Sequence, residues 1–227
     1  MVKNRKHTTW VICSSALLAL VIGLTGFGVW NFWQQYQATH QPEEVVRASL
    51  AELTETVTVS TDTPVETPPA CDDSYQMPAD QPRKIELPSL GKTGCIQKVG
   101  IDQHNNIAVP TNIHVAGWFT GSTKPGEDGV SIIDGHFGGR YTDDAIFRDL
   151  NKLKPNELIK IEYGDRTWRT FTVVRTDLYS VDETAHQQFK KLEGIDKQLT
   201  LITCGGTYDN KAKTYNKRTV VRAALTL

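Results

Sequence analysis

Apolar positions along the chain fall into three regimes. From Thr8 to Gln41 no Asp, Glu, Lys or Arg interrupts a stretch rich in Leu, Val, Ile and Gly. Its centre is long enough for the roughly 20 residues that a helix needs to cross a bilayer. Lys3, Arg5 and Lys6 precede the run and Glu43 and Glu44 follow it, a charge bias that places the N-terminus in the cytoplasm and everything after Gln41 outside. Trp10 stands at one edge, Trp30 and Trp33 at the other, where indoles favour the headgroup layer. A cleaved leader would end its apolar run at small residues. Gly28-Val29-Trp30-Asn31-Phe32-Trp33 has no such site, so residues 9–33 read as a retained anchor behind a cytoplasmic segment, 1–8.

In the second regime, 34–82, apolar residues thin out. Val46, Leu50 and Leu53 keep helical spacing in a short amphipathic stretch. From Thr54 to Pro82 the chain is dominated by Thr, Pro, Glu and Asp, including Pro64, Pro68, Pro69, Pro78 and Pro82. So little apolar surface cannot offset the entropy of ordering, and the segment is expected to be an extended stalk.

The third regime, 83–227, alternates short apolar runs with Gly, Pro, Asn and Asp, the pattern of an all-β domain. Strands are expected at Lys84–Leu87, Ile96–Ile101, Asn106–Val109, Val115–Trp118, Val130–Gly135, Leu158–Tyr163, Trp168–Leu178, Leu199–Cys204 and Thr219–Leu225. Gly164-Asp165 supplies a hairpin turn between the sixth and seventh of these. Two short helices fit the 3.6 period: Asp144–Leu153, with Ile146, Leu150 and Leu153 on one side, and Thr184–Leu192, which Asp182 is placed to cap. Many strands with helices confined to connections favour a closed barrel, because closure removes sheet edges.

Composition narrows the function classes. The 227 residues carry a formal charge of −1, which supplies no broad cationic surface for nucleic acid. The four cysteines, Cys13, Cys71, Cys95 and Cys204, lack the paired spacing of a thiolate metal site, so a metal held by thiolates is not expected. Cys71 and Cys95, both external, could pair in an oxidising setting. Cys204 is then left over as a candidate reactive thiol.

Cys204 closes the apolar run Leu199-Thr200-Leu201-Ile202-Thr203 and precedes Gly205-Gly206. A thiol at a strand end is displayed, and glycines beside it admit a substrate and leave the Gly205 N–H to face a developing oxyanion. A thiolate needs a basic neighbour. Among six histidines, His136 alone closes an apolar run, Val130–Ile133, and sits in open backbone between Gly135 and Phe137-Gly138-Gly139. An arginine would hold the charge of a tetrahedral intermediate. Arg218 and Arg222 bracket the last expected strand, on the same face.

These residues resemble the sortases. Thr200-Leu201-Ile202-Thr203-Cys204 matches their TLxTC signature, Gly135-His136 their histidine motif, and Tyr215-Asn216-Lys217-Arg218-Thr219-Val220-Val221 their arginine-bearing final strand. Pro125-Gly126-Glu127 through His136, together with Cys204-Gly205-Gly206, is most similar to the class F branch. The resemblance implies an eight-stranded β-barrel that transpeptidates proteins bearing an LPxTG-like C-terminal signal. Cys204 would form the acyl-enzyme, His136 would protonate the leaving amine, Arg218 would stabilise the oxyanion, and Thr203 would contact substrate. The partners implied are secreted proteins with that signal and an amine of the cell wall or of a pilin, and the resemblance implies no cofactor. Arg218 is preferred to Arg222 by its match to the motif. Asp134 departs from the pattern, standing before Gly135 where small or apolar residues are usual. Two rivals are an L,D-transpeptidase, which would carry Gly before its cysteine and Arg shortly after it, and a non-catalytic anchored β-domain with a buried Cys204.

Overall fold

In the computed structural model, residues 64–226 are described. The expected anchor, the cytoplasmic segment and the first part of the stalk lie outside them. Among the described residues no helix is long and apolar enough to cross a membrane.

Eight strands close a barrel: β1 (Pro82–Leu87), β2 (Lys92–Val99), β3 (Ala116–Phe119), β4 (Gly129–Gly135), β5 (Leu158–Tyr163), β6 (Trp168–Ser180), β7 (Lys197–Asp209) and β8 (Thr214–Leu225). The order around it is β1-β2-β3-β4-β7-β8-β6-β5. Neighbours run antiparallel except β2 with β3 and β4 with β7, which are parallel. Parallel neighbours need a crossover. The first is the irregular loop 100–115; the second contains β5, β6 and α1 (Val181–Gln187).

Alternation sorts the side chains. Ile133 of β4, Leu199 and Leu201 of β7, and Val221 and Ala223 of β8 fill the interior with Ile85, Ile96, Ile159, Ile161 and Phe171. The alternate positions Ile132 and Ile202 face outward, into a second cluster with Val99, Ala108 and Phe119. The 100–115 loop contributes Ala108 and Ile107 to that cluster, so this part of the outer face is covered rather than wet.

Three expected elements take another form. Asn106–Val109 is no strand: Ile107 makes an isolated bridge to Ile101, with its turn organised by the Asp102 carboxylate on the His104 and Asn106 N–H groups. Asp144–Leu153 forms turns and a single 3-10 segment, Leu150–Lys152. Its apolar positions still enter the core as a plug of Ile146, Phe147, Leu150 and Leu153, which is why the period looked helical. The second helix starts earlier than expected and is capped by Ser180, in a reciprocal capping box with Glu183, rather than by Asp182.

The described part of the expected stalk, 64–82, is docked on the barrel. The holds are polar and covalent, which a count of apolar residues misses. Arg83 is buried, paired with Glu162 at 3.2 Å, and donates to the carbonyls of Asp72 and Tyr75. Tyr75 donates its hydroxyl to Ile96 O at 2.6 Å. Cys71 and Cys95 form a disulfide. Gly164 lies so close under the carbonyls of Met77 and Pro78 that a Cβ there would collide with backbone.

The disulfide closes a loop 24 residues long, for which the chain-entropy account gives a stabilisation of about 3 kcal/mol. The Cys71→Ser/Cys95→Ser double variant is expected to melt several degrees below the wild type in a thermal scan without reductant, and dithiothreitol should lower only the wild type.

Candidate active site

The site is built where β7 loses one neighbour. β4 and β7 run side by side in parallel through the pairs Ile133↔Leu201 and Asp134↔Ile202. β4 stops at Gly135, whereas β7 continues to Asp209 paired only with β8. Cys204 therefore lies in mid-strand, not at a strand end as expected. It is displayed because the sheet narrows beside it. His136 is the first residue beyond β4, and continuation of the parallel register brings it abreast of Cys204. Both share the parity of the outward-facing Ile132 and Ile202.

Arg218 is directly opposite Cys204 in the β7–β8 ladder, a placement that leaves Cβ atoms about 5 Å apart on one face. Its Nη1 donates to the carbonyls of Tyr215 and Lys217, both at 2.8 Å, and Nη2 contacts Thr214 Oγ1. These bonds hold the guanidinium along its own strand while an Nη2 hydrogen and the Nε–H of its five donors remain. Arg222 differs completely. It is 1% exposed, its Nη1 bonds Asp177 at 2.8 Å and its Nη2 the carbonyl of Gln187 in α1. Arg222 has the same strand face as Arg218 but is roofed by the helix. It ties that helix to β6 and β8.

His136 Nε2 donates to the Pro110 carbonyl at 2.8 Å. A carbonyl accepts only, so the ring carries its proton on Nε2 and leaves the Nδ1 lone pair available. Phe137, next in the chain, stacks edge-on against Tyr215 at 5.0 Å, and Tyr215 against Tyr208 at 5.3 Å. Aromatic contacts thus join the loop after His136 to the β7–β8 hairpin.

Thr203, expected to contact substrate, is buried on the interior side, and its hydroxyl donates to Gly135 O at 2.8 Å. Its work in this structure is to bind the end of β4 to β7, one residue from each of His136 and Cys204. Gly205 is a buried ladder residue opposite Lys217, against Thr219 and Leu178, rather than part of an open loop. The freedom lies at Gly206, whose φ of 77° breaks the register and lets the Asn216 side chain accept from the Thr207 N–H.

Electrostatics at the site is set by burial. Burial pushes the Cys204 thiol up, against the opposing Arg218 guanidinium. Burial pushes the His136 imidazole down, partly offset by the bond to Pro110. Asp134, the departure from the family pattern, is 7% exposed, sits over Gly117, and has no partner for Oδ1. Burial raises its carboxyl well above the ordinary range. The charge it carries adds to the upward push on the Cys204 thiol.

Among the described residues no cluster of His, Cys, Asp and Glu could hold a metal ion. Sequence reasoning passed over Pro110, whose carbonyl no residue pattern marks, and Tyr208 and Tyr215, which read as ordinary hairpin residues.

Two stability predictions follow from these placements. Arg222→Ala strips Asp177 of one of its two arginine partners, with Arg175 still paired to it, and loses the bond to the Gln187 carbonyl, which should cost about 2 kcal/mol, whereas Arg218→Ala should leave the melting temperature nearly unchanged. Asp134 has a folded pKa above its unfolded one, so its share of stability is complete below the unfolded value and lost as pH rises through the folded one. Melting curves at pH 4 and pH 7.5 should therefore show Asp134→Asn gaining on the wild type as pH rises.

Comparison with known proteins bears on this geometry. The sortase domain family profile matches residues 85–226, more than half of the chain. A sequence search of curated proteins finds no match. Similar solved structures include a lid mutant of sortase A from Corynebacterium diphtheriae, 23% identical, with TM-score 0.50, covering 64% of this chain and 70% of that one. Sortase C1 from Streptococcus agalactiae is 22% identical, with TM-score 0.49, over 70% and 71% of the two chains. A sortase D5 transpeptidase of Clostridium perfringens is 22% identical, with TM-score 0.47, over 68% and 84%. The barrel carries a free cysteine opposite an arginine and abreast of a histidine, and by the family match the chain belongs to the sortases, cysteine transpeptidases.

Proposed function

We propose that this sortase is a cell-surface enzyme, held in the membrane by residues 9–33 with its N-terminus cytoplasmic and its barrel outside. It cleaves an LPxTG-like C-terminal sorting signal and passes the protein to an amine of the cell wall or of a pilin. Cys204 is the nucleophile, His136 the acid and then base, and Arg218 the oxyanion partner. The single observation that carries this reading is the register: Cys204 faces Arg218 across β7–β8 and comes abreast of His136 across β4–β7. The class F assignment rests on the sequence motifs alone.

The chemistry proceeds in two halves. The Cys204 thiolate attacks the carbonyl carbon of the signal's threonine, and negative charge grows on the oxygen beside the remaining Arg218 donors. The C–N bond breaks as the His136 imidazolium gives its proton to the leaving amine, and a thioester remains on Sγ. The acceptor amine then attacks the thioester, His136 takes the amine proton, and the thiolate departs. Because burial lifts the thiol and lowers the imidazole, both are neutral at rest. The thiolate–imidazolium pair is a minor state, and the reaction draws on it.

The test uses the full chain in detergent with a panel of LPxTG-like peptides and an amine nucleophile. Expected are a ligated product and a thioester on Cys204 detectable by mass spectrometry. Cys204→Ala should abolish both, and Arg218→Ala should lower kcat on the order of a hundredfold, the usual loss for one oxyanion donor. No product from any peptide, or undiminished product from Cys204→Ala, removes the proposal.

A further inference from the structure

Residues 65–67 of the expected stalk, whose docked part 64–82 forms a strap on the barrel, reach both segments that orient His136. The first is 110–114. Pro110 O receives the His136 Nε2–H, and the residues just after it are clamped by the strap in a short parallel bridge, Val65↔Asn112. Val65 N–H donates to Thr111 O at 2.8 Å, and Ile113 N–H donates back to Val65 O at 3.0 Å. Asn112 Nδ2 donates to Thr67 O, and the His114 ring bonds Glu66 O at 2.9 Å.

The second segment is the loop that leaves His136. The Glu66 carboxylate accepts the N–H groups of Arg140 and Tyr141, the latter at 3.1 Å to both oxygens. Gly139 gives it room, since a Cβ there would stand 2.6 Å from the carboxylate carbon. The loop is thus wrapped around one side chain. Its ends are pinned by Phe147 N–H on His136 O and by Gly139 N–H on Thr142 O. Five residues beyond Glu66, the Cys71–Cys95 disulfide fastens the strap to β2.

None of these contacts touches the reacting atoms. All of them bear on where the imidazole stands. We propose that Glu66 is a positioning residue for His136: its carboxylate closes the loop Gly138–Tyr141 while its backbone neighbours hold the Pro110 segment, so that the ring is gripped from both sides. This rests on the reading of His136 as the acid and base. The electrostatic logic is simple. Two backbone N–H groups aimed at one anion form a charge-assisted cradle, stronger than bonds to a neutral acceptor, and they act at the tip of the loop, beyond the Phe147 bond to His136 O and the Phe137–Tyr215 contact at its start. Misplacement of an acid by about 1 Å is enough to lower a rate on the order of a hundredfold.

The experiment compares Glu66→Ala and Glu66→Gln with the wild type as full chains in detergent. Glutamine keeps an oxygen for the two N–H groups; alanine keeps none. Glu66→Ala should lose at least about tenfold in kcat on a sorting-signal peptide with KM within about twofold, as expected for a group acting through the transition state. Glu66→Gln should recover most of that loss. Independently of any peptide, selective carbon-13 labelling of histidine should show the His136 resonance titrating at higher pH in Glu66→Ala, as the ring gains solvent, and near the wild-type value in Glu66→Gln. An unchanged kcat together with an unchanged His136 titration overturns the proposal. So does a rise in KM alone, which would make the strap a substrate contact, and so does an equal loss in both variants. If the wild type turns over no peptide, the sorting-signal reading fails, while the histidine titration still decides the role of Glu66.

Discussion

Parallel pairing of β4 with β7 is the constraint from which the geometry of this domain follows. Two strands that run the same way and end at different points leave one of them exposed along a single edge at a defined residue. Here that residue is Cys204, because β4 stops at Gly135. Parallel strands also carry equal parity at equal register, so His136 faces the side that Cys204 faces. Thr203 secures the arrangement with a buried bond to Gly135. The antiparallel β7–β8 ladder then sets Arg218 opposite the thiol. Three side chains far apart in the chain meet through two ladders, with His136 one residue past the end of its strand.

The two arginines of β8 show how tertiary context divides like residues. Four positions apart on one strand face, they have equal local claims to a site. α1 covers one of them. Arg222 then needs Asp177 and a helix carbonyl to offset its lost hydration, and becomes part of the frame. Arg218 lies past the helix, with its donors partly committed to its own strand. Asp134 is the counterpart on β4: burial raises its carboxyl well above the ordinary range, so its sequence position alone does not say how much charge it delivers beside the thiol.

The docked strap links the domain's entry segment to its chemistry. Its attachments are an ion pair, a tyrosine hydroxyl, a disulfide and a carboxylate on two N–H groups. Each is directional, so the strap can fix neighbouring backbone with little apolar burial. A segment composed like a linker can in this way act as a splint.

By itself the sequence determined the β-rich class, the eight strands that close the barrel to within a few residues, and the pairing of one thiol with one histidine as the candidates. Period-two alternation and strand-flanking glycines are local signals, and Leu158–Tyr163, Val130–Gly135 and Leu199–Cys204 carry them strongly. Local signals could not say that Cys204 lies in mid-strand, that Asn106–Val109 is a covering loop, or that Thr203 faces inward. Nor could they divide Arg218 from Arg222, pair Cys71 with Cys95, or dock residues 64–82. Those outcomes depend on which strand lies beside which and on what lies above it. Register and cover are relations between distant segments, and only the closed barrel decides them.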